Sequence, residues 1–150
     1  MPVIVRTRGC PSPAIKPSTV RARAERMLGA LRMEDAELSV LLCDDAVIHA
    51  LNRDHRKKDR PTDVLAFSMR EGVGGELHPQ LLGDVVISLP TARRQATAAG
   101  RSTSAEVTFL LAHGLLHLLG FDHRTAAEER RMNARADALC AAARGARRSP

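Results

Sequence analysis

His113-Gly114-Leu115-Leu116-His117-Leu118-Leu119-Gly120-Phe121-Asp122-His123 is the stretch whose reading decides this chain. Leucines fill most positions between the first two histidines and the glycine, as on a helix buried on several sides. Positions four apart differ by about 40° in azimuth and one turn in height, so His113 and His117 aim two imidazoles at one point. Gly120 takes the left-handed conformation that ends a helix. His123, past the turn, can then swing back as a third nitrogen, and three protein ligands with an open fourth position define a catalytic rather than a structural zinc site. The expectation is one zinc per chain on His113, His117 and His123, with nickel or another divalent ion left open because imidazole suits several borderline metals. The plainer alternative is a set of polar residues satisfied on a partly buried helix.

Outward from that helix, capping patterns and apolar runs mark the other elements. Thr103-x-x-Glu106 has capping-box spacing and predicts a helix over about 104–119; Thr125-x-x-Glu128 predicts another to about 143. Ser18 reads as the N-cap of a helix reaching about Ala30, and Asp44 as the N-cap of one carrying Val47, Ile48 and Leu51 on one side. Pro90 fits a first helical turn. Strands are expected over 3–5, 37–43, 64–68 and 85–88, with 71–75 as a Gly-rich loop and the Arg-rich tail after 143 as a frayed end. The whole chain, 1–150, is read as one domain.

Composition narrows the class. The chain has 150 residues, 44% hydrophobic and 27% charged, an ordinary globular balance. Its three aromatics are all Phe, which argues against stacking platforms and moves any nucleic-acid contact to the phosphates. Net charge is +6, and all but three of the 23 basic residues are Arg, whose planar fork suits phosphate; RNA or DNA is the suggested partner. Cys10, Cys43 and Cys140 are odd in number with no CxxC pair, and read as free thiols in a reducing compartment. With no leader pattern and no membrane-length apolar run, the expected location is the cytoplasm.

The histidine spacing is shared with metzincin proteases, H-E-x-x-H-x-x-G-x-x-H, in which the Glu is the general base. Here that position is Gly114. Peptide hydrolysis would lack its usual proton carrier, so protease activity is a minor reading.

Three blocks then closely resemble the YbeY family, single-domain bacterial endoribonucleases of ribosomal RNA maturation. They are Leu51-Asn52-Arg53-Asp54-His55-Arg56-Lys57-Lys58-Asp59-Arg60-Pro61-Thr62-Asp63-Val64-Leu65-Ala66-Phe67, Leu82-Gly83-Asp84-Val85-Val86-Ile87, and the histidine stretch with Gly114 in place of Glu. The resemblance implies an α+β fold, a small mixed sheet of about four strands surrounded by helices, with a metzincin-like histidine-bearing helix. It also implies zinc on the three histidines, cleavage of single-stranded RNA, trimming of the small-subunit RNA 3′ end, and ribosome quality control with the ribosome or its proteins as partners. His55, where an aromatic is expected, and Ala66, where Ser is frequent, are small departures.

Within the first block, Arg56 in a basic connection is the candidate catalytic residue: it can clamp a phosphate bidentately, the alternative being a solvated charge run. Thr62 and Asp63 read as turn-forming groups at a strand entry. Asp84 is ambiguous in the same way, and Asp122 either orients an imidazole or caps the next turn. His49, His55 and His78 are surface or packing residues. The competing functions are a ribosome-associated binding factor with a structural metal, or a metallohydrolase of other substrates.

Overall fold

The computed structural model describes residues 3–10, 14–69, 80–121 and 124–145. In chain order the elements are β1 (Val3–Arg8), α1 (Pro17–Ala30), β2 (Glu37–Cys43), α2 (Asp45–Arg56), β3 (Val64–Ser68), β4 (Leu81–Ser88), α3 (Leu89–Ala99), α4 (Thr103–Leu118) and α5 (Ala126–Ala143). The strands lie in the order β1-β2-β4-β3, with β1, β2 and β4 parallel and β3 antiparallel to β4 at the edge. This is the α+β architecture with a small mixed sheet that the family resemblance implied. The 71–75 loop and the tail from 146 fall outside the described residues.

Both faces of the central strands are covered, which is why β2 and the end of β4 read as continuous apolar runs rather than alternating ones. On one face Val40, Leu42, Val85 and Ile87 join a core with Met27 and Leu28 of α1, Leu111 and Leu115 of α4 and Met132 of α5. On the other, Leu41, Cys43, Leu65 and Val86 meet Val47, Ile48 and Leu51 of α2. Burial pushes the Cys43 thiol up to about 12, so it is an inert core thiol; Cys10 and Cys140 are likewise free and raised, chiefly by burial.

Two caps differ from the sequence reading. Lys16, not Ser18, is the N-cap of α1, because Pro17 needs no N–H partner and takes the first helical position. Ser102, not Thr103, caps α4, accepting from the Ala105 N–H at 3.0 Å. The register slips by one because Ser102 and Thr103 are both able to cap. Glu106 is thereby moved past the capping position, and it is 4% exposed. Its Oε1 lies 3.0 Å from Arg101 Nε, a charge contact without the alignment of a hydrogen bond. The second box, Thr125 with Glu128, forms as read. β1 and β4 also run longer than expected, since their outer residues are held by pairing to β2.

Asp45 ties the start of α2 to the start of α3. Its carboxylate accepts from Ser88 Oγ, from Thr91 Oγ1 at 2.7 Å and from Arg94 Nη2 at 2.9 Å. Burial opposes its ionisation, but these donors prevail and hold its pKa below the ordinary 3.8. A depressed carboxyl stabilises the fold above its unfolded pKa, and that stabilisation is lost as pH falls through the folded value. Asp45→Asn should therefore lower stability by about 1–2 kcal/mol at neutral pH, with the gap from wild type closing below about pH 4 in denaturant titrations.

Candidate metal centre and phosphate-binding cleft

α4 ends as the sequence requires. Gly120 has φ +96°, the Gly120 N–H reaches the His117 carbonyl, and the Phe121 N–H reaches the Leu116 carbonyl, both at 3.0 Å. This pair of bonds is the Schellman arrangement, and it turns the chain back toward the helix just beyond His117. His113 and His117 both line a cleft of about 670 Å³ bounded by β3, the end of α4 and the loop after α2.

The His113 ring is fixed. Its Nδ1 lies 3.0 Å from the Phe109 carbonyl, and its ring stacks against Phe109 with centroids 4.2 Å apart. A neutral imidazole donates from one nitrogen only, and the Phe109 carbonyl accepts from Nδ1 in the tautomer whose Nε2 bears the lone pair. That is the tautomer a metal-ligating histidine adopts. Asn133 Oδ1 of α5 lies 3.2 Å from Nε2 and accepts from it in the other tautomer, so an ion at Nε2 takes the place of this contact. The two histidines brought to one cleft thus fit a divalent ion. Their proposed third partner, His123, lies outside the described residues with Asp122 and His78. Among the described residues no three His, Cys, Asp or Glu side chains gather closely enough to hold an ion.

Gly114 sits between them on the face pressed against the sheet. A Cβ there would lie 2.6 Å from Val85 Cγ1 and 3.3 Å from Val64 Cγ2. The carboxylate that metzincin proteases carry at this position has no room, so the glycine is imposed by the packing of α4 on β3 and β4.

Arg56 closes the opposite wall. Its Nη2 donates to the Ala66 carbonyl at 2.6 Å, and its guanidinium lies over Phe67, 5.7 Å from the ring centroid. The side chain is exposed and lines the same cleft as His113, His117, Lys58 and Thr62. A buried residue without a role in the sequence reading supports it: Asn52, 2% exposed, donates to the Arg60 carbonyl at 2.8 Å, while its own carbonyl accepts from Lys58 N–H at 3.2 Å. Asn52 therefore ties both sides of the basic loop, where Lys57 takes the left-handed φ of +61°. A polar residue amid the apolar positions of an amphipathic helix was the available signal.

The Endoribonuclease YbeY family model matches residues 13–144. An Endoribonuclease YbeY of Syntrophotalea carbinolica is 50% identical over 119 residues, covering 78% of this chain and 79% of that one. One of Aquifex aeolicus is 48% identical over 115 residues, covering 77% and 75%. This chain belongs to the YbeY endoribonuclease family. A Thermotoga maritima protein solved in solution shares the fold, with TM-score 0.64 at 21% identity, over 95% of this chain and 90% of that one.

The YbeY motif residues do not all converge. Asp63 accepts from Val64 N–H at 2.7 Å and from Gln95 Nε2 at 3.3 Å, so it pins the entry to β3 as read, though it also lines the cleft. Asp84 lies in β4 one residue before Val85, on the α2 side of the sheet, in a separate groove with His55 and Phe67. Its place is away from the histidines, which resolves the ambiguity. His55 packs edge-on to Phe67, centroids 5.4 Å apart, and His49 meets Asp59 at 2.6 Å; both are the surface and packing residues expected. Gly83 is required by backbone: its φ is +138° and a Cβ would strike the Phe67 carbonyl.

Gly114→Ala should destabilise the fold by about 1–3 kcal/mol through overpacking. Trimming Val85 to Ala in the same chain should recover part of the loss, and thermal unfolding of the two variants checks it.

Proposed function

We propose that this chain is a metal-dependent endoribonuclease cutting single-stranded RNA, with His113, His117 and His123 holding one zinc, or another divalent ion, and Arg56 binding the scissile phosphate. Supporting this reading are the family membership and one observation above the rest: two same-face histidines, a glycine in place of the protease carboxylate, and an arginine share one cleft. The finer role carried by the family resemblance is 3′ end maturation of small-subunit ribosomal RNA and ribosome quality control, in the cytoplasm, with ribosomal proteins as partners. No described helix is long and apolar enough to cross a membrane.

Bound at the histidines, the ion would supply a Lewis acid for a phosphate oxygen or for water. The chain's own residues do the rest. Arg56 spends one nitrogen on the Ala66 carbonyl, which aims the guanidinium along the edge of β3 and leaves its other donors for phosphate oxygens. Arg56 is the last residue of α2 rather than part of the connection, and Lys58 adds a second positive charge from the loop just after it. The Phe109 carbonyl accepts from Nδ1 of His113 in the tautomer that presents Nε2 to an ion, which would replace the Asn133 Oδ1 contact there.

Purified protein incubated with ribosomal RNA fragments should cleave them, and His117→Ala should abolish cleavage while removing the metal in elemental analysis. Binding of the RNA without cleavage at full metal occupancy would favour a ribosome-associated factor with a structural ion, and turnover of peptides or small molecules without RNA would favour another metallohydrolase. Chelation should also lower the melting temperature, because the ion links α4 to the turn beyond it. Arg56→Ala and Arg56→Lys should each slow single-turnover cleavage by on the order of a hundredfold, since lysine keeps the charge but not the fork. Wild-type rates in both variants, with metal retained, would make Arg56 a solvated surface charge.

A further inference from the structure

A second basic pocket lies one helical turn and more up α4 from the histidines. It measures about 390 Å³, and Arg23 of α1, Arg101 before α4 and Arg144 after α5 line it, with Ser104 and Asp137. Phe109 lines both this pocket and the histidine cleft, so the two are neighbours across one ring. From Ser104 to His113 along the helix is roughly 13 Å, at about 1.5 Å per residue, a span of a few nucleotides.

The three guanidiniums are placed differently. Arg23 is held in position, its Nη1 donating to Ser104 Oγ at 2.7 Å and Thr108 Oγ1 at 2.6 Å, which leaves the other nitrogens of the fork. Arg101 lies over the Phe109 ring, 5.0 Å from the centroid, and its charge contact with buried Glu106 keeps that carboxylate from repelling an anion in the pocket. Arg144 is an exposed side chain at the α5 terminus. Their convergence shows in Cys140 between them: burial raises its thiol, and against that Arg144, Arg101 and Arg23 all act to lower it. Among the described residues Asp137 is the one carboxylate in the lining, against three arginines.

We infer that this pocket is a second phosphate subsite for the RNA strand: a strand held at Arg56 and the histidines crosses Phe109 and sets a downstream or upstream phosphodiester among Arg23, Arg101 and Arg144. The inference rests on the cleft being the RNA-binding site. With three aromatics in the chain, all Phe, the contact is to the backbone and is sequence-independent, and Phe109 gives the strand an apolar step between two charged stations. The subsite sets the minimum length of strand that is bound tightly.

Fluorescence anisotropy of wild type, Arg144→Glu and Ala105→Glu tests this, using oligoribonucleotides with methylated ribose hydroxyls that resist cleavage. Two lengths are compared, a trinucleotide that fills the cleft and a strand of about twelve nucleotides, each over a range of salt. Ala105 is exposed at the third position of α4, where a glutamate completes a capping box with Ser102, so this variant puts a carboxylate at the pocket without weakening the helix. Each variant should lose roughly tenfold in affinity for the long strand at low salt, with the slope of log K against log salt falling by about 0.7 or more, and much less for the trinucleotide. Unchanged long-strand affinity and slope in both variants would overturn the subsite, as would equal losses for the two lengths. Arg56→Ala separates this from the cleft reading: if it leaves trinucleotide binding at the wild-type level, the cleft is wrong, whatever the glutamate variants show.

Discussion

The approach of α4 to the sheet at Gly114 is the constraint on which the rest depends. Helix and strands meet so closely that Val85 and Val64 occupy the space of a Cβ. This contact sets the height and rotation of α4, and with Leu111 and Leu115 buried behind it, it leaves His113 and His117 facing the cleft beside edge strand β3. Packing and chemistry are thus settled together: the residue that lets the helix seat also removes the carboxylate a peptide hydrolase would use. On the proposed reading, the histidine pair with the protease spacing works on a substrate that brings its own negative charge.

Charge supplies the other half. The last turn of α2 and the loop after it are crowded with Arg53, Arg56, Lys57, Lys58 and Arg60, and such a run in isolation would repel itself into an extended, solvated segment. Buried Asn52 ties it down from both sides, and Arg56 is drawn along β3 by the Ala66 carbonyl, an outward-facing acceptor of the edge strand. The same bond blunts the edge that would otherwise accept an extended chain. On the proposed reading, an arginine at that place offers its remaining donors to the phosphate oxygens of the substrate.

Much of this was legible in the sequence because local rules coincide with global ones there. The four-residue spacing that brings His113 and His117 to one cleft, the Gly120 stop and the Thr125 box each act within one or two turns of chain, and these are found as read. The slips are also local: two adjacent hydroxyl residues at 102 and 103 compete for one cap, and a proline at 17 displaces the serine after it. What could not be read depends on tertiary packing. Gly114 read as a missing base, whereas its reason is Val85, far away in sequence. Asp84 looked equivalent to Asp63, but the alternation of a strand puts it on the other side of the sheet. The Asn52 bond to the Arg60 carbonyl and the placing of Arg101 over Phe109 join residues whose nearness no helical spacing records.

The most direct test of a metal centre built on this helix is X-ray absorption at the metal edge of the purified protein. Three imidazole nitrogens with one oxygen in a tetrahedral shell is the expected result, matching a histidine set with an open position. Sulfur in the shell, a closed set of four protein ligands, or an all-oxygen octahedron would contradict it.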